Sequence, residues 1–182
     1  MHQAEAFEHV HGLVEATKRA FLIRNAHVGD PERMGDVWKR WLTDDMIAKE
    51  AAAINMAKAA PWPPLAIPGY TIWMVAADRN GNVVSYIQRI FWEFGSGLAV
   101  PETGILWQNR GASFTLEPGP NELAPGRLPL RTLNPAMARL NDGTMLAYGT
   151  MGGEGQPQTQ AAIFTPHVVF RHDMQEAVSA PR

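Results

Sequence analysis

Gly149-Thr150-Met151-Gly152-Gly153-Glu154-Gly155-Gln156-Pro157-Gln158 sets a double glycine directly before a helix start. At such a turn backbone N–H groups can converge on one point, and no Cβ blocks a ligand's approach. An anion or a developing oxyanion fits there. By itself the stretch reads equally well as a plain strand-to-helix turn. It lacks the Gly-Lys-Ser/Thr of a phosphate loop and matches no dinucleotide fingerprint.

Outward from this turn the pattern is mixed. The turn residues Asn141-Asp142-Gly143 separate two short strands expected at 136–141 and 144–149. Another strand is expected near 105–109, and helices at 156–166 and 173–179. Glu117 to Pro129 is rich in proline and glycine and reads as a loop. Thr71–Ala77 and Val83–Ile90 are β-branched and aromatic enough for strands, with Asn80-Gly81 as a hairpin signal between them.

Before residue 61 the period is helical. Phe7, Val10, Leu13, Val14, Ala20 and Phe21 mark an amphipathic helix over 3–25, with Glu8, Glu15, Lys18 and Arg19 falling mostly between them. Asp30-Pro31 begins a turn. Trp38 and Trp41 share a helical spacing that points to core packing. Thr43 is a good N-cap for a second helix to about Ala59, with Asp44 and Asp45 in its first turn. Pro61-Trp62-Pro63-Pro64 ends it, because proline lacks the N–H and clashes with the preceding turn. The organisation expected is therefore a helical region at 1–60, a proline-rich linker at 61–70 and an αβ region at 71–182.

Bulk properties narrow the function classes. With 182 residues, one domain with a real core is expected. A net charge of −2 and no long basic run argue against nucleic-acid binding through phosphates. The absence of cysteine removes disulfides, thiolate catalysis and cysteine metal sites. His9 and His11 do not share a helix face, and no histidine pair has metal-ligand spacing. The six histidines read as surface or capping residues, and no metal and no cofactor is expected. No apolar run is long enough to span a bilayer, so no membrane partner is expected.

Four motifs occur in order: Asp78-Arg79-Asn80-Gly81-Asn82, Phe94-Gly95-Ser96-Gly97, Asn109-Arg110-Gly111 and Met151-Gly152-Gly153. With Arg131-Thr132-Leu133-Asn134-Pro135 between the last two, they resemble the gamma-glutamyltransferase family of N-terminal-nucleophile hydrolases. The resemblance runs from about His11 to Arg182 and covers only part of the family's length. It implies an α+β fold, a partial N-terminal-nucleophile sandwich with helices packed on antiparallel β-sheet. The segment would span the end of the large subunit and most of the small one. It also implies a natural N-terminus elsewhere, so the polar residues 1–20 leave the compartment open, with cytoplasm the default over periplasm.

The same resemblance assigns roles. Thr71 matches the threonine that is both cleavage site and nucleophile, with Tyr70-Thr71 the bond cleaved. A threonine opening a strand also needs no reason beyond β propensity. Gly152 and Gly153 match the oxyanion hole. Thr132 matches a hydroxyl residue that holds the substrate carboxylate, or is a simple loop hydroxyl. The pocket is otherwise recoded. Arg89 stands for a threonine or serine, Phe91 for an asparagine, Arg110 for a glutamine, Ser113 for an aspartate and Arg131 for a serine. The aspartate normally pairs with the substrate's ammonium, and serine cannot replace its charge. Arginine binds carboxylates and stays charged. Arg110, Ser113, Arg131 and Thr132 are thus the substrate-binding candidates, while Arg89 reads as a solvated or salt-bridged surface residue.

Three functions follow. The first is a gamma-glutamyltransferase-like amide hydrolase or acyl transferase using a self-released N-terminal threonine, as in glutathione hydrolysis. The second resembles oxamate amidohydrolase and hydrolyses an anionic amide lacking an amine. The third is a non-catalytic fragment or subunit needing a partner half. The partners implied are a small-molecule amide or gamma-glutamyl substrate and a complementary large-subunit half, with a homo-oligomer also allowed and no nucleic acid.

Overall fold

Asp78 shapes the centre of the structure, because its carboxylate decides how the first hairpin turns. In this computed structural model, which describes residues 5–62 and 71–180, β1 (Ile72–Ala77) pairs antiparallel with β2 (Val83–Gln88). Asp78 accepts from the N–H groups of Asn80 and Asn82 at 2.8 and 2.9 Å, and from Asn82 Nδ2 at 2.7 Å. Gly81 N donates to Asp78 O at 3.2 Å, with Gly81 at φ 84°. The loop is therefore longer than a two-residue Asn80-Gly81 turn, and Ala77 pairs with Val83. Register fixes which face each side chain takes.

One face of this hairpin carries Trp73, Val75, Ser85 and Ile87; the other carries Ile72, Met74, Val84 and Tyr86. The first face meets β6 (Met145–Tyr148), which pairs with β5 (Ala136–Arg139) across the expected Asn141–Gly143 turn. Trp73 Nε1 donates to Ser85 Oγ at 3.0 Å, and Ser85 Oγ donates to the Tyr148 carbonyl at 3.5 Å. A Cβ on Gly149 would stand 2.3 Å from the Trp73 indole, so only glycine lets the ring lie there. The second face is bare, with Ile72 53% and Val84 56% exposed. A short pair, β3 (Ala99–Val100) and β4 (Ile105–Leu106), follows β2; β3 carried no sequence signal.

These elements belong to a unit comprising residues 71–112 and Thr132–Gln160. The other unit comprises residues 5–62, Ser113–Arg131 and residues 161–180. It contains α1 (Phe7–His27), α2 (Pro31–Met34), α3 (Val37–Trp41), α4 (Asp44–Ala52) and α6 (Met174–Ser179). The helix α5 (Gln156–Phe164) starts in the first unit, and a π-helical turn at Thr165–Val169 follows it.

In α1 the face turned inward differs from the expected stripe. Phe7, Val10 and Leu22 are exposed, whereas His11, Glu15 and Phe21 are buried. The chain after α4 explains this. His11 Nε2 bonds the Asn55 carbonyl at 2.9 Å, and Lys18 Nζ donates to the Ala60 carbonyl at 2.7 Å. Glu15 takes Lys18 Nζ at 2.6 Å and the Ala60 N–H at 3.1 Å, and only 4% of it is exposed. His11 is thus not a surface histidine. Thr43 does occupy the N-cap of α4, yet its side chain makes no cap bond and donates to Arg40 O instead. The helix stops at Ala52, short of Ala59, because the Asn55 side chain takes the Ala57 and Lys58 N–H groups into a turn. Asp30-Pro31 opens α2, with Asp30 accepting from Glu32 N and holding Leu128 N from the 117–129 loop. Trp38 is 47% exposed rather than in a core. Among the described residues no helix is long and apolar enough to cross a membrane. No cluster of His, Asp and Glu among them has the makings of a metal site.

Candidate active site

Ile72–Gln88 is the last pair of the ladder, and Thr71 and Arg89 are the residues that flank it, one beyond each strand end. Thr71 precedes β1 by one residue. Its Oγ1 is shut off from solvent and has no hydrogen-bond partner. The residue before it, Tyr70, and the linker residues 63–70 lie outside the described residues.

The chain leaving β6 covers this end of the hairpin. Gly149 lies against Trp73, and four residues later Gly153 lies against Arg89: a Cβ on Gly153 would stand 2.8 Å from Arg89 Nη1. Gly152 and Gly153 have φ of 115° and 54°, both in the region that favours glycine. The turn continues as a 3-10 segment, Gly153–Gly155, into α5. The buried Gln156 accepts from Asn134 N at 3.0 Å, and Gln160 donates to Asn134 O at 2.6 Å. These bonds tie the start of α5 to the Thr132–Asn134 segment.

Arg110 is 6% exposed. It opens a 3-10 turn, Arg110–Ser113, and its Nη1 donates to Thr132 Oγ1 at 3.3 Å. Its guanidinium lies 4.6 Å from the centre of the Phe91 ring, and that of Arg89 lies 5.4 Å from the same centre. Each distance suits a cation over an aromatic face. Phe91 and Trp92 both have φ near 60°, an unusual conformation for aromatic residues. Arg89 is partly enclosed, and its Nε has no partner. Burial pulls its pKa below the usual guanidinium value, and the Glu154 carboxylate opposes that shift. Arg89 is therefore half-buried beside the Glu154 carboxylate, which fits the charge-paired part of the expectation and not full solvation.

Thr71, Gly152, Gly153, Arg110 and Thr132 all lie in one unit. Ser113 and Arg131 lie in the other. Ser113 offers its carbonyl to Asn121 Nδ2 at 2.5 Å, and Arg131 is exposed. A separate cavity of about 410 Å³ is lined by residues including Glu15, Arg19, Ile54 and Trp62, and by none of the anticipated site residues.

The family model for gamma-glutamyltranspeptidase matches residues 1–182. The chain is 50% identical to the oxamate amidohydrolase proenzyme of Klebsiella pneumoniae subsp. pneumoniae over 183 residues, all of this chain and 35% of that protein. It is 40% identical to the glutathione hydrolase-like YwrD proenzyme of Bacillus subtilis, covering 97% of this chain and 34% of that protein. The chain thus spans about a third of the length of these curated relatives. The crystal structure of cephalosporin acylase from Bacillus halodurans superposes with a TM-score of 0.86 at 33% identity, over 100% of this chain and 33% of that one. The helices and small antiparallel sheets described above are part of an N-terminal-nucleophile hydrolase fold. The chain belongs to the gamma-glutamyltranspeptidase family.

Proposed function

We propose that this chain carries the nucleophile of an amide hydrolase, Thr71, released as a new N-terminus by cleavage at Tyr70-Thr71. The relatives named as proenzymes support a processed product. So does a Thr71 hydroxyl held away from water with no partner to satisfy. Once freed, the α-amine has a pKa of roughly 8 and can serve as base within the same residue. The hydroxyl oxygen adds to the amide carbon while its proton passes to the amine. The carbonyl π electrons move onto oxygen, facing the N–H groups of Gly152 and Gly153. The oxyanion then collapses, the C–N bond breaks, and the leaving nitrogen takes the proton. Water then adds to the ester carbon as its proton passes to the amine, and collapse of the second oxyanion breaks the C–Oγ1 bond, with the threonine oxygen taking the proton.

The substrate favoured is a small amide with an anionic group and no ammonium. The observation that carries this is Arg110, a buried guanidinium anchored on Thr132 at 3.3 Å, in a sequence that has serine at 113. An ammonium beside it would be repelled and poorly solvated. A protein named oxamate amidohydrolase proenzyme is among the relatives, and oxamate fits the description. The bare face of Ile72, Met74, Val84 and Tyr86 supports a complementary polypeptide that covers the hairpin.

The test is turnover by the complete protein of oxamate against a gamma-glutamyl anilide. Oxamate is expected to be preferred, and Arg110→Gln with Ser113→Asp is expected to shift preference toward the gamma-glutamyl donor. Efficient gamma-glutamyl turnover by the unaltered protein would return the assignment to glutathione-hydrolase-type chemistry.

A further inference from the structure

Arg89 has no role in the reading above, yet it reaches both the Gly152–Gly153 turn and the Phe91 ring. It directly follows β2, as Thr71 directly precedes β1, at the Ile72–Gln88 end of the hairpin. Its Nη1 packs on Gly153, the glycine offered for the oxyanion. Its guanidinium rests on Phe91, whose φ of 60° turns the ring into that place. Its Nε is buried without a hydrogen-bond partner, as is the hydroxyl of Thr71, the residue just before β1. Two buried polar atoms without partners at one end of a hairpin are costly unless a ligand completes them. A desolvated guanidinium also meets negative charge far more strongly than one in water.

We propose that Arg89 is a further charge-binding residue of this site, placed to hold the acyl oxygen of an amide substrate beside the Gly152–Gly153 turn. Phe91 is its positioning residue. The anion receptor then has two guanidinium arms on one ring, Arg89 at the acyl end and Arg110 at the carboxylate end. That spacing selects compact ligands whose carboxylate adjoins the acyl carbon. The proposal rests on Thr71 as nucleophile for its catalytic part and on the cluster alone for its binding part.

The experiment reads both parts in the complete protein. Oxalate, which has two adjacent carboxylates and no amide to cleave, is the binding probe, followed by its effect on the melting temperature. Oxamate turnover gives kcat and KM. Arg89→Met is expected to abolish the oxalate-dependent shift and to lower kcat about 100-fold, the usual scale for losing one oxyanion donor. Arg89→Lys should restore part of both, whereas Phe91→Leu should weaken both while keeping the fold. Thr71→Ala should stop turnover and leave the oxalate shift in place. Where methionine unfolds the chain, Arg89→Gln keeps a polar N–H donor on a shorter, uncharged side chain. An Arg89→Met protein that folds, keeps its oxalate shift and keeps kcat overturns the proposal. A wild-type protein that turns over neither oxamate nor a gamma-glutamyl anilide, but whose oxalate shift still depends on Arg89, overturns the nucleophile reading alone.

Discussion

Glu15 and Arg110 are both charged groups withdrawn from water, and their partners settle what each does. Lys18 holds the Glu15 carboxyl below the ordinary glutamate range, and the Ala60 N–H adds to this against the opposing effect of burial. A depressed carboxylate contributes stability above its unfolded pKa and loses it as pH falls through the folded one. Glu15→Gln is therefore expected to melt below wild type at pH 7. The gap should close near pH 3, as read by thermal scans at the two pH values. At Arg110 the relevant partner is the Thr132 hydroxyl. Thr132→Val removes an acceptor from a buried guanidinium and should cost about 1–2 kcal/mol in denaturant unfolding, with Thr132→Ser close to wild type.

Single glycines and one carboxylate control the elements. Gly149→Ala drives a methyl into the Trp73 indole, and the ring cannot swing away without losing its bond to Ser85. A loss of about 1–3 kcal/mol is expected, with a change in tryptophan fluorescence. Gly152→Ala meets no atom within 4 Å, so its cost is backbone strain alone, on the order of 1–2 kcal/mol. Asp78→Ala releases the Asn80 and Asn82 N–H groups, and hydrogen exchange at those two amides should quicken first.

At the scale of the whole molecule, β6 and Gly149 cover only the Trp73–Ile87 part of one face of the β1–β2 hairpin, and Val75 on that face is still 51% exposed. Ile72, Met74, Val84 and Tyr86 form an apolar patch of the kind that binds hydrophobic dyes or another chain. The isolated chain is expected to bind such a dye, and Val84→Glu with Tyr86→Lys should reduce that binding. Intact-mass analysis of the complete protein should show a break before Thr71, absent in Thr71→Ala. An unbroken wild-type protein with a cooperative melt would count against self-cleavage.

Signals that act within a few residues were legible in the sequence. Asn141–Gly143 turns β5 into β6 and the double glycine precedes a helix, because turn chemistry and capping are local, whereas Asp30-Pro31, read as a turn, opens the short helix α2. The ordered motifs were enough for the family. What the sequence left open depended on contacts between distant segments. The 55–60 stretch covers α1 and buries Glu15, which no helical period of α1 can reveal. The place of Arg89 depended on one residue of register. A two-residue Asn80-Gly81 loop would pair Ile72 with Arg89; the longer loop held by Asp78 pairs it with Gln88. Pairing shifts the whole strand at once, so that single step decides whether Arg89 is locked into the ladder or stands just beyond it, and only the folded hairpin settles it.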